Sequence, residues 1–117
     1  MITLYGIKNC DTVQRAIARL DSEGIAFSFH DFKAQGLSAE RAQQWLDQLG
    51  VDVVVNRKGT TWRKLDAEAQ ARVERGDAAA VLAANPSLVK RPIIESPKGI
   101  TAGFAKGAED AVLEKLK

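Results

Sequence analysis

A single cysteine, Cys10, lies in the run Leu4-Tyr5-Gly6-Ile7-Lys8-Asn9-Cys10-Asp11-Thr12, between a short β-like stretch and an amphipathic helical pattern. The first turn of a helix presents backbone N–H groups without internal partners, together with the positive end of the macrodipole, so a sulfur placed there is stabilised as the thiolate. In that form it attacks disulfides and other oxidised centres. Free cysteine is also among the most buried residue types, packed as a small hydrophobe. Position alone leaves both readings open.

Two arginines stand in unusual settings: Arg57 in Asn56-Arg57-Lys58-Gly59-Thr60-Thr61-Trp62-Arg63-Lys64, and Arg91 in Val89-Lys90-Arg91-Pro92-Ile93-Ile94. Both flank elements instead of lying on a helix face. A planar guanidinium grips carboxylates and oxyanions bidentately, and a cation beside a cysteine favours its thiolate. A cluster of Cys10, Arg57 and Arg91 therefore serves anion recognition and thiolate stabilisation together. The competing reading is two solvated charges in basic loops, and chain order alone does not bring the three together. His30 is the one candidate base for a cysteine-histidine pair, but it sits in an alternating strand pattern whose pleat sets its direction, which marks it as structural or surface-facing. One cysteine and one histidine do not build a typical zinc site, so no metal is expected. Neither Lys58-Gly59 nor Lys98-Gly99 has the spacing of a phosphate-binding loop.

The elements that must position these residues follow from periodicity. Ile2 to Tyr5 is β-rich and ends at Gly6, after which Val13, Ala16, Ile17 and Leu20 recur at helical spacing before Gly24. Ile25 to Phe32 alternates apolar and polar side chains as a half-buried strand does. Together these predict a βαβ unit with parallel strands and a right-handed crossover. Ser38 is an expected N-cap for a helix carrying Ala42, Trp45, Leu46 and Leu49 and ending at Gly50, with Trp45 as a core anchor. Leu65 to Val73 and Asp77 to Leu82 read as short helices broken at Gly76, and Asn85-Pro86 ends that stretch. Pro92 to Glu95 and Ile100 to Ala102 read as strands joined by the turn Ser96-Pro97-Lys98-Gly99, and a last helix spans about 108–116.

A chain of 117 residues, with no repeat and no linker-like tract, is expected to form one domain. Hydrophobic content of 45% and charged content of 27% are ordinary for a soluble globular protein and exclude disorder. The net charge of +2 comes from 17 basic and 15 acidic residues that are interspersed, so no charge run suggests a nucleic-acid or membrane surface. No apolar run approaches the ~18 residues of a membrane span. With a lone cysteine and no leader-like start, the expected compartment is the cytoplasm. The expected architecture is α/β: a mixed sheet flanked by helices, with a helical insertion at about 36–88 between an N-terminal βαβ unit and a C-terminal ββα unit, all within a single domain over 1–117.

Taken in order and spacing, Gly6-Ile7-Lys8-Asn9-Cys10-Asp11-Thr12-Val13, the Asn56 to Leu65 segment and Leu88-Val89-Lys90-Arg91-Pro92-Ile93 resemble the arsenate reductase (ArsC)/Spx/YffB family, most of all its YffB-type branch. The resemblance implies a thioredoxin-like fold with a helical insertion and a nucleophilic Cys10 at the first βα turn. It also implies that Arg57 and Arg91 bind anions beside that cysteine. By the same resemblance Pro92 is the proline that faces the active cysteine, with a cis Arg91–Pro92 bond. Spx-type switches, which bind RNA polymerase, carry a CxxC pair, whereas Val13 stands here where the second cysteine would be. Arsenate reductases of this class carry a third arginine, and Phe104 falls at that position. Ala102-Gly103-Phe104 instead resembles the Gly-Phe of the YffB-type branch, for which glutathione-dependent thiol reduction is the suggested activity.

These expectations combine into a glutathione-dependent thiol-disulfide reductase with Cys10 as its single nucleophile. Arg57 and Arg91 hold a glutathione carboxylate or an anionic substrate. Asn9 or the backbone N–H groups of Asp11, Thr12 and Val13 hydrogen-bond the sulfur, and Thr12 caps the helix. Glutathione is a co-substrate, with no bound cofactor. Glutaredoxin, or an oxidised protein or small molecule, is the other expected partner of a monomeric chain. The alternatives are an arsenate reductase and a non-enzymatic, Spx-like regulator that binds a protein.

Overall fold

The computed structural model describes residues 1–116. β1 (Ile2–Gly6) leads through a turn into α1 (Asp11–Ser22), and β2 (Phe27–Asp31) follows. β1 and β2 pair in parallel, with Leu4 opposite Phe29 and Tyr5 opposite His30. β3 (Ile93–Ser96) pairs antiparallel with the other edge of β1, and β4 (Gly99–Ala102) antiparallel with β3, giving the order β2-β1-β3-β4. This is the mixed sheet expected of a thioredoxin-like fold. The β3–β4 hairpin closes through Pro97 and Lys98, with Ser96 opposite Gly99.

Strand side chains alternate between faces, so Leu4 shares a face with Phe29, Ile94 and Thr101, while Tyr5 shares the other with His30 and Ile93. The Leu4 face is covered by α1 and by α8 (Glu109–Leu116). Val13, Ala16 and Leu20 from α1, Leu113 and Leu116 from α8, and Phe104 join Leu4 and Ile94 in one buried cluster. On the opposite face the Tyr5 ring lies 4.8 Å from His30 and 6.3 Å from Phe32, and the Tyr5 hydroxyl donates to Glu95 at 2.9 Å. Gly6 is required by the packing of α1: a Cβ there would lie 2.7 Å from Val13 Cγ2.

The chain forms two compact units, one from residues 1–35 with the chain from Arg91 onward, the other from Gly36–Lys90. In the second unit α3 (Ala39–Leu49) begins at Ser38, whose hydroxyl accepts from the Arg41 N–H at 3.1 Å, and stops at Gly50, where φ is +88°. Trp45 is fully buried, as an anchor should be. α6 (Ala67–Glu74) is capped by the Asp66 carboxylate, and α7 (Ala78–Ala84) follows Gly76. Four short pieces escaped the periodicity: α2 (Phe32–Gln35), α4 (Val51–Val54), α5 (Thr60–Lys64) and a 3-10 turn at Pro86–Leu88. Each is at most five residues long, too short for a 3.6-residue repeat to register. Phe32 opens α2 instead of ending β2, because the strand stops at Asp31, whose carboxylate accepts from the Lys33 N–H at 3.0 Å.

Candidate functional site

Cys10 is the N-cap of α1, with extended backbone angles (φ −121°, ψ 119°), and its carbonyl accepts the first intrahelical bond, from the Gln14 N–H at 2.9 Å. The N–H groups of Asp11, Thr12 and Val13 precede that first bond and so lack intrahelical acceptors. The expectation that Thr12 caps the helix is corrected: the helix begins at Asp11, so the cap position falls on Cys10 and Thr12 lies inside the first turn. The sulfur makes no capping hydrogen bond. Cys10 is half-buried and packs against the cluster of Leu4, Val13 and Phe104, so one side of the residue is apolar and the other reaches solvent. Asn9 is exposed in the preceding turn, and Val13 is fully buried.

The sheet register brings further residues to the same end of the first unit. Tyr5 opposes Ile93, so the residues just before β3, Arg91 and Pro92, lie level with Gly6 and the turn that leads to Cys10. Ala102 also opposes Ile93, so Gly103 and Phe104 emerge at that end as well. Gly103, at φ +85°, donates its N–H to the Pro92 carbonyl at 2.9 Å. The Arg91–Pro92 peptide is cis, as the resemblance implies; Pro92 is buried and Arg91 half-buried. In α/β sheets such ends, outside the carboxyl termini of parallel strands, are where ligands bind. His30 is directed to the Tyr5 face, opposite the cluster against which Cys10 packs, in keeping with a structural role.

Arg57 belongs to the second unit. Its Nε and Nη2 donate to Glu74 Oε1 at 3.0 and 2.8 Å, Nη1 donates to Asp52 Oδ1 at 2.9 Å, and the guanidinium lies 5.6 Å from the Trp62 ring centre. The hydrogen bonds to Glu74, and after them the one to Asp52, raise its pKa above the ordinary arginine value against a partial loss of hydration. Arg57 is thus permanently cationic, with its charge answered inside its own unit.

Phe104 requires a correction. Placed at the position of a third arginine, it does not line a polar site but is buried in the apolar cluster, 2% exposed. A cation introduced there would enter the core. The cation that does stand beside Phe104 is Arg15, which the motif reading passed over. Its guanidinium lies 5.9 Å from the Phe104 ring centre, Nη2 donates to the Phe104 carbonyl at 2.8 Å, and Nη1 to Glu109 Oε2 at 3.2 Å. The signal available was spacing: Asp11, Gln14 and Arg15 fall at i, i+3 and i+4, a polar stripe beginning one residue after the cysteine and followed at i+7 by the small Ala18. Among the described residues no group of three or more histidine, cysteine or acidic side chains is placed to hold a metal, and no helix is long and apolar enough to cross a membrane.

The chain belongs to the ArsC family, whose model matches residues 5–112. An uncharacterized protein of Haemophilus influenzae is 44% identical over 104 residues, 89% of this chain and 91% of its own length. A solved structure of a YffB protein superposes with a TM-score of 0.89 at 38% identity, covering all of both chains. The global transcriptional regulator Spx of Streptococcus pyogenes is 26% identical over 117 residues, 98% of this chain and 87% of Spx.

Proposed function

We propose that this chain is a glutathione-dependent thiol-disulfide reductase. The observation that carries the reading is a lone, half-exposed cysteine at the N-cap of α1, at the end of the sheet where Arg91 and Pro92 also emerge. The Cys10 thiolate attacks one sulfur of a disulfide, forming a mixed disulfide and releasing the other sulfur as a thiolate. No second cysteine in the chain can resolve it. One glutathione thiolate therefore displaces the bound substrate half, and a second attacks the glutathionylated Cys10, leaving oxidised glutathione and a free Cys10 thiolate. The balance is one disulfide and two glutathiones giving two thiols and one oxidised glutathione. The free N–H groups of the first turn of α1, aided by Asn9, hydrogen-bond the departing and attacking sulfur anion. Arg91 binds a carboxylate of the tripeptide, and Arg57 is the weaker of the two arginines as an anion contact, since Glu74 and Asp52 already hold it. Phe104 supplies no third cation, which weighs against an arsenate pocket.

Intact mass after mixing with oxidised glutathione, alongside arsenate turnover with glutathione and glutaredoxin, is the test. One glutathione per chain on the wild type, none on Cys10→Ser, and little arsenate turnover is the expected outcome. Efficient arsenate reduction without an adduct would transfer the reading to an arsenate reductase. Inertness in both assays would leave a protein-binding regulator.

A further inference from the structure

The polar stripe of α1 forms one wall of an open groove of about 570 Å³, lined by Asp11, Gln14, Arg15 and Ala18 and closed on the other side by Lys106 from the loop between β4 and α8. That volume is within the ordinary range of small-molecule sites, roughly 300–1,000 Å³. We infer that this groove seats the amino-acid end of the thiol that reacts at Cys10: a zwitterion carrying an α-carboxylate and an α-ammonium, as the γ-glutamyl residue of glutathione does. The inference rests on the reading of Cys10 as the glutathione-reactive group and adds the place where the tripeptide is recognised.

Three features carry it. The first is charge of both signs at fixed places. Asp11 is an exposed carboxylate in the first turn, Lys106 is an exposed ammonium that forms no salt bridge among the described residues, and Arg15 lines the same groove. A dianionic oxyanion would face Asp11 as well as the Glu109 carboxylate already on Arg15, whereas a zwitterion offers an opposite charge to each. The second is preorganisation. Arg15 is clamped by the Phe104 carbonyl, the Phe104 ring and Glu109, and Glu109 is itself fixed by the Gly107 N–H at 2.7 Å. With two of its five N–H donors engaged, it presents the rest in a set orientation, so little entropy is lost when a carboxylate binds. Gln14 is likewise held, donating to the Lys8 carbonyl at 2.9 Å, which leaves its amide oxygen to accept from an ammonium or peptide N–H.

The third feature is reach. The stripe starts one residue after Cys10 and ends at Ala18, about 12 Å further along the helix axis at 1.5 Å per residue. An extended tripeptide spans about 10 Å. The thiol belongs to the central residue, so a glutathione bonded to Cys10 has an arm of about two residues, roughly 7 Å when extended, to lay along this wall as far as Gln14 and Arg15.

The test compares rates of mixed-disulfide formation at Cys10, read by intact mass, for oxidised glutathione, cystamine and the neutral bis(2-hydroxyethyl) disulfide. Lys106→Ala is expected to slow the glutathione reaction about three- to fivefold and the charge-reversed Lys106→Glu by about tenfold, as for partly exposed charge contacts, with the neutral disulfide unaffected. Asp11→Asn should slow oxidised glutathione and cystamine, both of which carry ammonium groups, relative to the neutral disulfide. If glutathione still adds to Cys10 but all three variants leave its rate unchanged relative to the neutral disulfide, the groove assignment is overturned while the reductase reading stands. If the wild type takes up the neutral disulfide and not glutathione, both fall.

Discussion

Arg57 and Arg15 are held in similar ways and put to different use. Each is bound to a carboxylate on another element and stacked near an aromatic ring, Trp62 for Arg57 and Phe104 for Arg15. Arg57 meets two carboxylates, so its surroundings within Gly36–Lys90 already carry one more negative charge than its own guanidinium cancels. Arg15 meets one carboxylate and one carbonyl, and its remaining donors line an open groove beside the cysteine's helix turn. The motif advertised the first arginine and was silent about the second. Whether a guanidinium can receive an anion depends on what already answers its charge, and that is a property of the packed unit and not of the motif.

The sharpest way to break this comparison is at Phe104, where a cation would be added to the site if the position faced a pocket. Buried among Leu4, Val13, Ile94 and Leu113, the Phe104→Arg chain is instead expected to lose at least the ~3–5 kcal/mol typical of emptying an aromatic core site, with an added cost for the buried charge. Urea unfolding should show a strongly reduced midpoint, and arsenate turnover should not rise. A stable Phe104→Arg protein with new arsenate activity would mean that the side chain has left the core.

The next effect concerns the two motif arginines. Arg91→Ala is expected to slow glutathionylation of Cys10 by about tenfold, the lower end for a charge-assisted contact. Arg57→Ala should have a smaller effect on that rate, since Asp52 and Glu74 compete for the guanidinium, and should cost at most ~1 kcal/mol of stability, because those carboxylates are largely solvent-exposed. Equal slowing by the two substitutions would erase the distinction between an answered and an available charge.

The first unit was legible because its signals are long or chemically sharp. The switch from the Ile2–Tyr5 run to the Val13, Ala16, Leu20 spacing marks β1 and α1, and the Ser96-Pro97-Lys98-Gly99 turn marks the β3–β4 hairpin. Cys10 was legible as the one thiol at a strand-helix junction. The Arg15 clamp was not, because it depends on Glu109 and Phe104, 94 and 89 residues away, which only the docking of α8 and the end of β4 onto α1 brings within reach. Phe104 misled for the same reason: counting forward from Arg91 gives its position along the chain, but which side of the sheet the loop turns toward is set by Gly103 at φ +85° and its bond to Pro92.

The smallest expected effect tests the clamp itself. The Glu109 carboxyl is held below its ordinary value, near 4.3, first by its own backbone N–H and that of Gly107, then by the Arg15 and Arg19 charges, against a small desolvation cost. Because its pKa in the folded chain lies below that in the unfolded chain, the carboxylate stabilises the fold at pH values above the unfolded pKa. That contribution is lost as pH falls through the folded value. Arg19, bonded to Asp110 and Glu23, has its pKa raised and stays charged throughout, so it contributes no slope in this window. Glu109→Gln removes the charge at every pH. The difference in urea midpoint between wild type and variant should therefore be constant from about pH 7 to 6 and shrink below about pH 4.3, with the wild type losing its advantage. The same substitution frees Arg15 from its ion pair, so discrimination between oxidised glutathione and the neutral disulfide at Cys10 should change in Glu109→Gln even at pH 7, while Asp52→Asn, which loosens Arg57, should change it less. Midpoints that fall in parallel down to pH 3, with discrimination unmoved, would show that Arg15 does not need its carboxylate and that the contrast with Arg57 lies elsewhere.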